Sequence, residues 1–159
     1  MPHANLLSST VFRLGVLGAR WEEVFARSIQ HESLRPKHVA VLAILREGVP
    51  RTQQDLAQVM GVAPSLVVAL ATDLESLGAI VRTRDADDRR RQRLELTESG
   101  HALLTRCEAV MSDLDSAVAH ALGRQARALD EALAALGAVP RPSVGSPLED
   151  ATGNPGLLG

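Results

Sequence analysis

Aromatic side chains are almost missing from this chain. They make up 2% of its 159 residues, and Phe12, Trp21 and Phe25 all fall near the start, so the rest of the core must be aliphatic. Cysteine is equally scarce. Cys107 stands alone, which excludes an intramolecular disulfide and a cysteine-based structural zinc site and fits a reducing compartment, with the cytoplasm expected. No apolar run approaches the roughly 20 residues of a membrane helix, so no membrane association is expected. The stretch Val11 to Ala19 is interrupted by Arg13 and preceded by no basic segment, which makes it a poor signal peptide. An excess of one charge is lacking too. A formal net charge of −2 argues against coating nucleic acid or acidic membrane along the whole length, so any anion-binding surface must be local.

The signatures of catalysis are also absent: there is no Gly-rich phosphate loop, no G-x-S-x-G elbow and no H-E-x-x-H. Among His3, His31, His38, His101 and His120, no two stand at metal-ligand spacing with a carboxylate or thiol on the same helical face. No catalytic residue, metal or cofactor is expected.

What is present is helical periodicity. From about Leu6 to Gln30, Val11, Leu14, Gly18, Trp21, Phe25 and Ser28 or Ile29 recur at three- and four-residue steps, and Leu17 and Val24 widen the stripe beyond what a small neighbouring helix would cover. Pro36 opens a second helix with Val39, Leu42 and Leu45 inward and Gly48 at its end. Thr52-Gln53-Gln54-Asp55 reads as a capping box, in which the Thr52 hydroxyl accepts the Asp55 N–H and the carboxylate bonds back. Leu56, Ala57 and Met60 give that helix its apolar side, and Gly61 supplies a left-handed turn. Pro64 then starts a helix whose Val67, Leu70, Ala71, Leu74 and Leu77 share one buried face, stopped by Gly78. Two helices joined in this way form a helix-turn-helix. Ala79 to Arg84 and Gln92 to Leu96 read as a hairpin with a polar, arginine-rich tip, that is, a wing. Arg82, Arg84, Arg89, Arg90, Arg91 and Arg93 outnumber Asp85, Asp87 and Asp88 by three, the one strongly cationic patch.

Thr97 caps a last long helical region in which Leu103, Cys107, Val110, Leu114, Val118 and Leu122 repeat. Gly123 bends or breaks it, and Ala126, Leu129, Leu133 and Leu136 continue to Gly137. Cys107 on this stripe reads as a buried, inert thiol rather than a redox switch. The expected class is mainly α with a small β-hairpin wing. The expected organisation is an N-terminal dimerisation helix over 1–33, a winged helix-turn-helix lobe over 34–96, C-terminal dimerisation helices over 97–137 and a disordered Pro-, Gly- and Ser-rich tail over 138–159.

Leu34-Arg35-Pro36, Thr52-Gln53-Gln54-Asp55-Leu56-Ala57, Pro64-Ser65, Leu74-Glu75-Ser76-Leu77-Gly78, and Asp85-Ala86-Asp87-Asp88-Arg89-Arg90 leading to Leu96-Thr97-Glu98-Ser99-Gly100 together resemble the MarR family of bacterial regulators. The resemblance implies a homodimer held by the first and last helices, two lobes on an inverted repeat of duplex DNA, and usually repression relieved by a small aromatic or lipophilic effector. It also implies that one of Arg89 and Arg90 enters the minor groove while the other pairs with Asp85 or Asp88. A narrow minor groove attracts guanidinium groups, which agrees.

The second helix of the motif departs from the family in being apolar. Ser65, Leu66, Val68, Ala69, Thr72 and Asp73 are expected to project outward, and none offers the Arg, Lys, Asn or Gln that bidentate base recognition needs. Ala63 stands where a Ser, Thr or Asp cap is usual. Two uses stay open: an AT-rich site read through thymine methyls and groove shape, or an apolar helix face for a protein partner. The DNA contacts expected are Ser65, Leu66, Val68, Ala69, Thr72, Arg84, Arg89, Arg90 and Arg91. For an effector, Trp21 offers a ring and Arg20 or His38 a partner for a carboxylate; the plainer reading puts Trp21 in the dimer seam.

Overall fold

The computed structural model describes residues 5–48, 52–84 and 92–139. Helices dominate, in the order α1 (Thr10–Ser28), α2 (Pro36–Arg46), α3 (Gln53–Met60), α4 (Pro64–Ser76), α5 (Glu98–Leu122) and α6 (Ala126–Gly137). Between α4 and α5 lies the antiparallel pair β1 (Ile80–Arg84) and β2 (Gln92–Leu96), in a register that sets Ile80 opposite Leu96 and Arg84 opposite Gln92. The expected mainly helical winged architecture is present. Among the described residues, no single helix is long and apolar enough to cross a membrane.

The first helix is shorter than its periodicity indicates. Leu6–Ser8 and Gln30–Glu32 are separate 3₁₀ turns, set off from the helix by extended backbone at Ser9 and by Ile29 at φ −101°, and Ser33 in the left-handed region at φ 58° ends the second turn. The chain divides into two compact units, Met1–Ala117 and Val118–Gly159. In the first, Ile29, Val41, Leu42, Leu56, Val67, Leu70, Leu74, Ile80, Leu94, Leu104 and Cys107 are essentially inaccessible and form one aliphatic core. Val41 takes the inward position expected of Val39, which is only partly buried, and Leu77 is exposed because α4 has ended and Ala79 and Ile80 fill the core in its place. In the second unit α6 has no buried residue, and Leu129, Leu133 and Leu136 are exposed along it. Gly123, at φ 53°, separates α5 from α6 through a 3₁₀ turn.

Local chemistry explains the joints. Thr52 accepts the Asp55 N–H at 3.2 Å, but its hydroxyl turns to the Asp55 carboxylate at 2.5 Å, so the carboxylate serves the side chain and not the cap N–H that a reciprocal box requires. Gly61 takes φ 63° to end α3. At the start of α5 the Thr97 hydroxyl accepts the Gly100 N–H at 3.0 Å and donates to the Gly78 carbonyl at 2.6 Å, while the Thr97 N–H reaches the Ala79 carbonyl at 3.1 Å. One threonine caps the helix and pins it to the start of the hairpin.

Candidate nucleic-acid interface

Helix α4 begins with Pro64 in its first turn after the extended Ala63, which gives no side-chain cap. Val67, Leu70, Ala71 and Leu74 bury one side. At about 100° per residue, Ser65, Ala69, Thr72 and Ser76 fall on the opposite line with Val68 beside them, and all five are exposed. Two residues expected outward make contacts within the fold, although Asp73 stays exposed. Leu66 is partly buried against the core, and Asp73 turns to α2. Both lie on the side of α4 that meets α2, a distinction that inward-outward counting overlooks.

The flanking elements discharge both carboxylates of α4. Asp73 Oδ2 accepts from Arg35 Nη2 at 2.8 Å and from His38 Nε2 at 3.2 Å. Glu75 Oε2 accepts from Arg82 Nη1, whose Nη2 also donates to the Thr72 hydroxyl at 3.2 Å. Arg82, counted in the cationic patch, is therefore committed to α4, which ties the wing strand to the helix. Arg84, at the end of β1, is exposed, and no carboxylate among the described residues pairs with it. Asp85, Asp88, Arg89, Arg90 and Arg91, expected at the wing tip, lie outside the described residues.

The hydroxyls on α4 are occupied too. Thr72 donates to the Val68 carbonyl at 2.9 Å and Ser76 to the Thr72 carbonyl at 2.9 Å. Of the outward side chains, Ser65 alone keeps an uncommitted hydroxyl. The face is thus nearly neutral and lined with methyl groups.

His38 is engaged inside the fold. It is 3% exposed, its Nδ1 accepts the Arg35 N–H at 3.0 Å, and its Nε2 faces Asp73, so both nitrogens are spent inside the fold. Accepting at Nδ1 requires the neutral ring with its proton on Nε2. Burial accordingly pushes its pKa down, against an upward pull from the Asp73 hydrogen bond. The three effector candidates are not brought together. Arg20 and Trp21 lie exposed on α1, and a shallow groove of about 380 Å³ between α1, α2 and α4 is lined instead by Glu22, Ala26, Arg35, Pro36, Lys37, Leu66 and Leu70. Cys107 is buried, and desolvation raises its pKa, as befits an inert thiol.

Sequence reasoning missed the Arg35–His38–Asp73 cluster and the Arg82–Glu75 pair. The available signal was the placement of both acids just off the buried line of α4, where each meets a neighbouring element.

A profile of the MarR family matches residues 33–91. The transcriptional repressor CouR bound to a 23-mer DNA duplex is 30% identical, with 86% of this chain and 98% of that one covered and a TM-score of 0.76. CouR from Rhodococcus jostii RHA1 bound to p-coumaroyl-CoA is 26% identical over 90% of this chain and 99% of the other, with a TM-score of 0.72. A transcriptional regulator of the MarR family from Rhodococcus sp. RHA1 is 27% identical over 79% of this chain and 87% of its own, with a TM-score of 0.67.

Proposed function

The chain belongs to the MarR family of transcriptional regulators, and from that premise we propose that it is a non-catalytic, homodimeric repressor that binds an inverted repeat in duplex DNA. The observation that carries the DNA reading is the discharge of α4. A helix with Asp73 and Glu75 free would be repelled by phosphates, and here each acid is held by an arginine on a neighbouring element. The outward line Ser65, Val68, Ala69 and Thr72 then faces the major groove, while Arg84, Arg89, Arg90 and Arg91 of the wing supply the phosphate and minor-groove contacts. In this division the segment 34–96 is the DNA-binding lobe, and 1–33 and 97–137 hold the dimer.

The dimer is supported by the apolar surface of α1, where Val11, Leu14, Leu17 and Trp21 stand open in the single chain. A small aromatic or lipophilic effector releases the DNA, a reading supported by the p-coumaroyl-CoA bound to CouR. Arg20 and Trp21 are the residues of α1 we assign to it.

Selection of binding sites from random duplexes, at two salt concentrations, tests the proposal. An enriched palindrome whose affinity falls steeply with salt is expected. Absence of any enriched duplex would favour the apolar face of α4 as a surface for a protein partner.

A further inference from the structure

We infer that α4 reads C5-methyl groups in the major groove, so that it accepts 5-methylcytosine in place of thymine but rejects uracil. The inference rests on the DNA reading above and says what that helix recognises.

Each base pair shows the major groove a pattern of donors, acceptors and, for thymine, one methyl group. To read donors and acceptors a helix needs free polar side chains, and α4 has nearly none. It carries no Arg, Lys, Asn or Gln, both of its acids are engaged sideways, and the Thr72 and Ser76 hydroxyl protons return to the helix's own carbonyls. The Thr72 oxygen also accepts from Arg82, which leaves its methyl as the group that side chain can present. Val68, 45% exposed, and Ala69 beside it add three more methyls. Ser65 is the exception, one hydroxyl at the start of the helix.

A surface of this kind gains by covering the apolar C5-methyl and is indifferent to whether the adjacent exocyclic group is the thymine O4 or the cytosine N4. Cytosine methylated at C5 carries its methyl at the corresponding ring position. Burying one methyl is worth about a fourfold change in affinity, and about fifteenfold when both half-sites of a palindrome are changed together.

The test uses the full-length protein and the duplex enriched by selection. Thymines of each half-site are replaced, one symmetric pair at a time, by deoxyuridine opposite the same adenine, and by cytosine or 5-methylcytosine with guanine placed opposite. At one or two positions per half-site, uracil and cytosine should each weaken binding about fifteenfold while 5-methylcytosine stays within about threefold of thymine. Val68→Ala, a change on an exposed position that spares the core, should shrink the thymine-to-uracil ratio at one of those positions and leave the others. Uracil tolerated at every position, or 5-methylcytosine as damaging as cytosine, overturns the inference while leaving a DNA-binding regulator in place. If selection enriches no duplex, the DNA reading itself falls, and this inference falls with it.

Discussion

Gly100 has no room for a side chain. A Cβ built there would lie 2.0 Å from the Ala79 carbonyl oxygen, which is backbone and already accepts the Thr97 N–H. Gly100→Ala should therefore destabilise the protein by about 3 kcal/mol, the upper part of the usual overpacking range, read as a lower denaturant midpoint at unchanged slope. His38 sets a pH limit of a different kind. Burial holds its folded pKa below the ordinary value of about 6.5, so the neutral ring is the stable one. Its contribution is present in full above the unfolded-state value and declines as pH falls through about 6.5 toward the lowered folded value. Protonation of Nδ1 would also turn the acceptor of the Arg35 N–H into a donor. Urea titrations between pH 7.5 and 5 should show stability falling toward acid, and His38→Asn, whose Oδ1 can accept the same N–H, should flatten the dependence. Neither role was legible in the residue alone. Gly100 appeared in the pattern L-T-x-x-G without its steric reason, and His38 was read as an effector partner because a lone sequence hides the Asp73 carboxylate that claims it.

At the scale of elements, the helices, the hairpin and their order were legible because aliphatic periodicity, Pro36, Pro64, Gly61, Gly78 and Thr97 each mark a boundary that physical chemistry enforces. The sides of helices were less so. Leu66 and Asp73 flank the buried line on one side, and whether that flank meets solvent or α2 depends on how α2 and α4 cross. Arg82 was read with the wing's positive charge, although its guanidinium joins β1 to α4. The division of labour between wing and helix yields a prediction at this scale. Arg90→Ala, changing two contacts per dimer, should flatten the slope of log K against log salt by roughly two. Val68→Ala should leave that slope unaltered and weaken affinity only modestly. Fluorescence anisotropy titrations at several salt concentrations separate the two. A silent Arg90→Ala together with a Val68→Ala that abolishes binding would reverse the assignment.

For the whole molecule, the open apolar faces on α1 call for a second copy, and light scattering at micromolar concentration should give about 34 kDa, twice the 16.9 kDa protomer. Removal of Ala138 to Gly159, a segment rich in Pro, Gly and Ser, should change neither the cooperative unfolding transition nor DNA affinity. The scarcity of aromatic residues returns here as an experimental opportunity. The chain has no tyrosine and a single tryptophan, Trp21, which is 43% exposed on the face assigned to the partner subunit. Emission excited at 280 nm therefore comes from one indole, and its wavelength reports the polarity around that ring. Dilution through the dissociation constant should redden and quench it, so the unlabelled protein carries a built-in optical gauge of its own assembly.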